Sequence, residues 1–212
     1  ALAAARRTGR RFVTTYHGIY NEKGRIKRIY NSVMARGDIV IANSDYTAAI
    51  VRQRYPLDPT RIVVVNRGVD IDRFDRANVD NARVAALRSA WNISPERRIV
   101  LHPARLTRWK GQNTVVEAAT ILMRQPENGN IDVVFAGDAQ GRQSYLDELK
   151  ALSTAAGIAD RVHFVGHVSD MPAALAMSEI VLIASIEPEA FGRTSVEAQA
   201  MGVPVIATAI GA

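Results

Sequence analysis

One pattern constrains this chain more than any other: short apolar runs alternate with stretches of helical spacing. The runs, rich in β-branched residues, fall at 11–16, 38–42, 61–65, 99–104, 131–136, 161–165, 180–184 and 203–207. Runs this short, bounded by turn residues, read as strands. A parallel neighbour can be reached only by a long return path, so strands alternating with helices imply parallel sheets with right-handed crossovers. In such sheets ligands bind beyond the C-terminal strand ends. The residues just after each run are therefore the ones to read for function.

The richest such segment is Pro188-Glu189-Ala190-Phe191-Gly192-Arg193-Thr194-Ser195-Val196-Glu197-Ala198. It follows the 180–184 run and leads into a short helix expected at 196–201, stopped by Gly202. Backbone N–H groups at a helix start lack internal partners and can receive an anion. Glu189 and Glu197 bracket that start. Carboxylates accept hydrogen bonds from hydroxyls, so a ligand carrying both hydroxyls and a diphosphate, such as a nucleotide sugar, would suit the pair. A plainer reading stays open: Thr194-x-x-Glu197 also fits a capping box, with Glu197 serving only the backbone.

Other strand ends add candidates. The 11–16 run ends at His17-Gly18, and the 99–104 run leads into Arg105-Leu106-Thr107-Arg108-Trp109-Lys110-Gly111, before a helix at 115–124 capped by Asn113. Two or more cations on one βα loop are better explained by an anion site than by chance surface charge. The 161–165 run ends at Gly166-His167-Val168, after which Ser169 or Asp170 caps a helix with Pro172 in its first turn. His163, alternating with apolar strand residues, and Asp138 read as structural. Residues 21–35 form a basic amphipathic segment with Ile26, Ile29, Tyr30, Val33 and Met34 at helical spacing beside Lys23, Arg25, Lys27 and Arg28. It is either a solvated face or a contact for an acidic membrane surface or a lipid-linked acceptor. The polar stretch 72–81 reads as a linker and 81–92 as a helix with Val84, Leu87 and Trp91 on one face.

Composition excludes several classes. The 212 residues are 48% hydrophobic and contain no cysteine, so the chain can fill a core but has no disulfide or thiol chemistry. No apolar run approaches a membrane span, and the first eleven residues lack the apolar region of a signal peptide. The net charge is +6, but aromatics are 6% and not interleaved with the basic residues, which argues against a nucleic-acid platform. No G-x-G-x-x-G follows the 99–104 run, which argues against a dinucleotide enzyme.

The residues quoted above resemble one family. Glu189, seven residues, then Glu197, within Pro-Glu-Ala-Phe-Gly, resembles the E-x7-E signature of retaining glycosyltransferases of family four. Ala190 stands where that family often has Gly, so it should be αR or extended. Ala104-Arg105-Leu106 with Lys110-Gly111 resembles the family's Gly-Arg-Leu…Lys-Gly element, Arg67-Gly68-Val69-Asp70 its Arg-Gly-Val-Asp turn, and Gly137-Asp138 its Gly-Asp-Gly turn. The resemblance implies a GT-B fold of two Rossmann-like parallel-sheet domains, the first incomplete: 1–72, a linker and entry helix at 73–97, and a donor domain at 98–212 truncated at its end. It implies a nucleoside-diphosphate sugar as donor, a carbohydrate or lipid-linked acceptor, and retention by front-face attack. Arg105 and Lys110 would hold the diphosphate, with Phe191, Gly192, Arg193 and Thr194 at the helix start. His167 and Val168 would lie against the base and Glu197 at the ribose. Glu189 would orient the sugar, with His17 facing it. No metal and no further cofactor are expected. A cytoplasmic enzyme of cell-surface polysaccharide or lipopolysaccharide synthesis is expected, with possible peripheral contact with an anionic inner membrane face and no nucleic-acid partner. A nucleotide-sugar epimerase of the same architecture and a noncatalytic nucleotide-binding fragment are the alternatives.

Overall fold

A computed structural model describes residues 1–20 and 24–212, and in it the alternation becomes two wholly parallel sheets. The chain groups into two compact units. One comprises Ala1–Gly68, Pro188–Gly192 and Ile210–Ala212; the other comprises Val69–Glu187 and Arg193–Ala209. These units differ from the two blocks and linker expected from the sequence. Residues 188–192 and 210–212 group with the first unit. The supposed linker packs into the second, where Phe74 is 6% exposed and joins the core beside Val69 and Val79.

In the first unit α1 (Leu2–Arg7) precedes β1 (Val13–Tyr16), α2 (Arg25–Ser32), β2 (Ile39–Ala42), α3 (Asp45–Arg54) and β3 (Ile62–Val64). The sheet order is β1-β2-β3, with Val13 opposite Ile39 and Val40 opposite Ile62. Tyr16, Val40, Ala42, Ala48, Val51 and Ile62 form its core. Ser44 starts α3 by accepting the Thr47 N–H, as a Ser beside an apolar run predicts. The apolar stripe of α2 does not enter this core: Ile26, Ile29 and Tyr30 are 86%, 63% and 77% exposed. Lys23 and the expected start of that segment at Asn21 lie outside the described residues.

The second unit runs α4 (Asn81–Ala90), β4 (Arg98–His102), α5 (Gln112–Leu122), β5 (Ile131–Ala136), α6 (Gln143–Ala155), β6 (Val162–Gly166), α7 (Met171–Ala176), β7 (Ile180–Ile183), α8 (Arg193–Ala200) and β8 (Val205–Ala207). Its sheet has the order β6-β5-β4-β7-β8. All six residues of β5 are buried, as a strand covered on both faces requires. Its side chains alternate between two clusters. Val134 and Ala136 join Ile99, Leu101, Leu175 and Val181 on one face, and Val133 and Phe135 join Val116 and Leu149 on the other.

Asp132 is the polar exception in β5, only 3% exposed. It accepts from His163 Nε2 at 2.9 Å and from Arg97 Nε at 2.8 Å. Burial pushes its carboxyl up, but the hydrogen bonds from His163 and then Arg97 outweigh this and hold it below the ordinary value. His163 is thus placed in a buried charge network, matching the structural reading made from strand alternation. The cap of α7 is Asp170, which accepts from the Ala173 N–H and pairs with Arg83 of α4 at 2.7 Å. Asn113 does not cap α5, which starts instead from Gly111 at φ +73°. Only glycine takes that left-handed turn readily, so the backbone rather than the Asn side chain sets the helix start.

Candidate functional site

The second sheet reverses direction at β4: the chain moves outward through β5 and β6, then returns to the other side of β4 as β7. Adjacent loops diverge at such a switch point and leave a crevice at the C-terminal ends. The loops after β4 and β7 are joined there. Ile186 N–H donates to the Trp109 carbonyl at 2.8 Å, and a Cβ at Gly111 would land on the Ala184 carbonyl. Gly111 therefore meets two demands, a positive φ and backbone contact.

Arg105 and Lys110 lie on the β4 loop as expected. Arg105 is exposed and donates to Gln140 Oε1 at 3.2 Å. Its carbonyl is fixed by Gln112, a fully buried side chain, at 2.9 Å. The Lys110 ammonium sits 4.2 Å from the Trp109 ring centroid, a contact that restricts a flexible side chain. Arg108 is taken up by structure: it pairs with Glu148 of α6 at 2.9 and 2.5 Å and lies over the Tyr145 ring. Beside that guanidinium the Glu148 carboxyl is held below its ordinary value.

The neighbouring loops are tied to one another. Gly137 bridges Gly166, and a Cβ at Gly137 would strike the Ala104 carbonyl. Gln140 adopts φ +47°, a conformation uncommon outside glycine that orients its side chain to Arg105. Apolar patterning cannot flag such a residue, and the only nearby signal is the following Gly141. His167 is exposed at the end of β6. Val168 is half-buried and packs its side chain against the core.

Helix α8 begins at Arg193 rather than at Val196. Thr194 therefore lies inside the helix, and the capping-box reading fails because a cap must precede the first turn. The Glu197 carboxylate accepts from Arg193 Nη2 at 3.0 Å, one turn back, with the Glu side chain 12% exposed. Gly202, at φ +69°, ends the helix as expected.

The remaining candidates belong to the first unit. Ala190 is not among the positive-φ residues, whereas Gly192 has φ +77°, matching the conformation expected of Ala190. Ser44 Oγ donates to the Ala190 carbonyl at 2.6 Å, and Thr47 Oγ1 lies 3.4 Å from it. The Glu189 backbone pairs with Gly211, and its carbonyl accepts the Ala212 N–H at 3.0 Å. Phe191 is half-buried in the same loop. His17, at the end of β1, lies 2.8 Å through Nδ1 from Arg67 Nη2. Arg67 carried no site role in the sequence, where it reads only as part of a turn.

Two features bear on alternatives. A hollow of about 650 Å³ along β6, lined by Trp91, Lys150, His163 and Phe164, shares no residue with these loops. An Asp-x-Asp spacing occurs at Asp70-Ile71-Asp72, but Asp70 Oδ1 accepts the Arg73 N–H at 3.0 Å in a local turn. Among the described residues no group of three or more His, Asp or Glu could hold a metal, and no helix is long and apolar enough to cross a membrane.

Residues 84–212 match the model for glycosyl transferases group 1, and residues 1–73 match that for glycosyltransferase family 4. A D-inositol 3-phosphate glycosyltransferase of Salinispora tropica is 37% identical over 188 residues, 84% of this chain and 38% of its own length. A glycosyltransferase structure from Rickettsia africae superposes with a TM-score of 0.88 at 35% identity, covering 99% of this chain and 54% of that one. The Anabaena HepE structure in complex with UDP-glucose gives 0.84 at 28% identity, with 99% and 56% coverage. The chain thus spans about two-fifths of the curated relative and about half of each solved neighbour. Its two parallel-sheet units match the GT-B architecture of these structures.

Proposed function

The chain belongs to the glycosyl transferases group 1, and from that premise we propose that it serves transfer of a sugar from a nucleoside-diphosphate donor to an acceptor hydroxyl with retention. The observation that carries the reading is the joined pair of loops at the β4–β7 switch point. They hold Arg105 and Lys110 on one side and lead into α8 on the other. The structure bound to UDP-glucose in Anabaena HepE makes a uridine nucleotide sugar the first donor to test.

The difficulty of the reaction is electrostatic. As the bond from the anomeric carbon to the β-phosphate oxygen breaks, negative charge grows on the diphosphate and positive charge on the sugar. Arg105, Lys110 and the open N–H groups of α8 would receive the first, each such donor contributing ~3–4 kcal/mol of barrier lowering. Glu189 and His17 would hold the sugar hydroxyls and Glu197 the ribose, while His167 and the Val168 backbone would face the base. The acceptor oxygen bonds the same face of the anomeric carbon that the phosphate leaves. Its proton passes to the departing phosphate oxygen, so the steps balance without a protein base or a metal.

The acceptor we propose is a carbohydrate or lipid-linked hydroxyl, in cell-surface polysaccharide or lipopolysaccharide synthesis on the cytoplasmic side. The exposed apolar stripe of α2, beside Arg25, Lys27 and Arg28, favours peripheral contact with anionic lipid. Vesicle sedimentation checks this part: retention should rise with anionic lipid and fall with salt. The transfer reading is tested on the full-length protein by a thermal-shift screen of UDP, GDP and ADP sugars, then proton NMR of the product. The new linkage should keep the donor's anomeric configuration. An inverted product, or free epimerised donor with no acceptor consumed, would overturn it.

A further inference from the structure

We propose that Arg67 is a positioning residue that fixes the neutral His17 ring with its proton on Nε2, so that His17 meets its ligand as a hydrogen-bond donor and not as a base. The proposal deepens the reading of His17 given above and rests on it for its functional part.

His17 follows β1, Arg67 follows β3, and β2 lies between them. The Val65 N–H still bonds the Ala42 carbonyl at 2.9 Å, so the ladder runs to within two residues of Arg67. Two inter-strand steps separate the ends of β1 and β3 by roughly 9–10 Å. A histidine covers part of that distance, and only a long partner closes the rest. Arg67 does so, with Nη2 2.8 Å from His17 Nδ1.

A guanidinium has donors and no acceptor, so Nδ1 must offer its lone pair. The other ring nitrogen then carries the proton, since a neutral imidazole holds one proton. Protonating Nδ1 would set an N–H against an N–H and break the contact. The backbone of His17 is held as well: Asn43, 3% exposed, donates through Nδ2 to the His17 carbonyl at 3.2 Å. Main chain and one ring edge are thus committed, and among the described residues Nε2 has no partner. A ring held this way gives a hydrogen bond to a hydroxyl or phosphate oxygen and cannot accept a proton at Nε2.

The test is spectroscopic first. The chain has four histidines, so selective ring ¹⁵N labelling resolves them, and His17→Gln assigns the signal. At a pH where the ring is neutral, Nδ1 of His17 should appear unprotonated and Nε2 protonated. Arg67→Met should move the Nδ1 resonance and admit the second tautomer, and Arg67→Lys should restore part of the shift by offering one donor. A protonated Nδ1 in the parent protein, or ring signals indifferent to Arg67→Met, would overturn the proposal. In the full-length enzyme Arg67→Met should lower kcat about tenfold with KM changed less than twofold, and Arg67→Lys should recover part of it. An inactive His17→Ala beside a fully active Arg67→Met also defeats the proposal. A fully active His17→Ala instead defeats the role given to His17, and with it the functional part of the role given to Arg67, while the tautomer measurement stands by itself.

Discussion

Three glycines separate the costs that Gly111 combines. Gly202 has φ +69° with no atom within 4 Å of an added Cβ, so Gly202→Ala isolates backbone strain. Gly137 takes an ordinary φ, but an added Cβ would strike the Ala104 carbonyl, so Gly137→Ala isolates the clash. Gly111 has both, φ +73° and the Ala184 carbonyl in the way. A left-handed non-glycine residue costs about 1–2 kcal/mol. Forcing backbone apart in a packed region costs about 1–3 kcal/mol. Gly111→Ala incurs both costs and should therefore lose about 2–5 kcal/mol, more than either of the other two. Urea unfolding measures all three, with midpoints falling and m-values unchanged. Since a Cβ at Gly111 pushes the β4 loop off the β7 loop, the same variant should weaken nucleotide binding, whereas Gly202→Ala should not. A Gly111→Ala protein within about 0.5 kcal/mol of the parent, or a Gly202→Ala protein less stable than Gly111→Ala, would refute the reasoning.

Other outcomes follow from the same structure. Asp132→Asn should cost about 3 kcal/mol near neutral pH, because it leaves Arg97 and His163 without their buried carboxylate. The folded Asp132 pKa is lowered, so its contribution is complete above the unfolded value near ~3.9 and is lost as pH falls through the folded one. Chemical denaturation of parent and variant should show a constant gap above about pH 5 that closes in acid. Ser44→Ala should cost about 1 kcal/mol by removing the α3 cap, and should free the Ala190 carbonyl, seen as faster amide exchange at 188–192. In the full-length enzyme Glu189→Ala should abolish transfer, while Lys110→Ala should lower kcat/KM about a hundredfold; full activity of the latter would count against a phosphate role.

Much of the fold was legible because burial writes itself into residue type. The run at 131–136 became β5 over the same residues, since a strand covered on both faces leaves no polar end to blur. The start of α8 was not legible: Arg193, Thr194 and Ser195 are polar, so the apolar pattern begins one turn late. Asn113 has the chemistry of a cap for α5, but a left-handed glycine stands two residues earlier and sets the turn by backbone alone. Residues 188–192 group with the first unit, where the Ala190 carbonyl meets Ser44 across 146 positions of sequence, a contact no local pattern encodes. The cations of the β4 loop could be read as an anion site from their place after a strand, while the choice of Arg105 and Lys110 among them comes from the family resemblance. Arg67 and Gln140 could not be read, because what distinguishes them is a partner brought near by the sheet and a positive φ.

The central claim is that the loops at the C-terminal edge of the second sheet take a diphosphate. Isothermal titration of UDP into the full-length protein and its Arg105→Ala/Lys110→Ala variant tests it most directly. The double variant should stay folded and bind at least about a hundredfold more weakly. Equal affinity in the two proteins would contradict it.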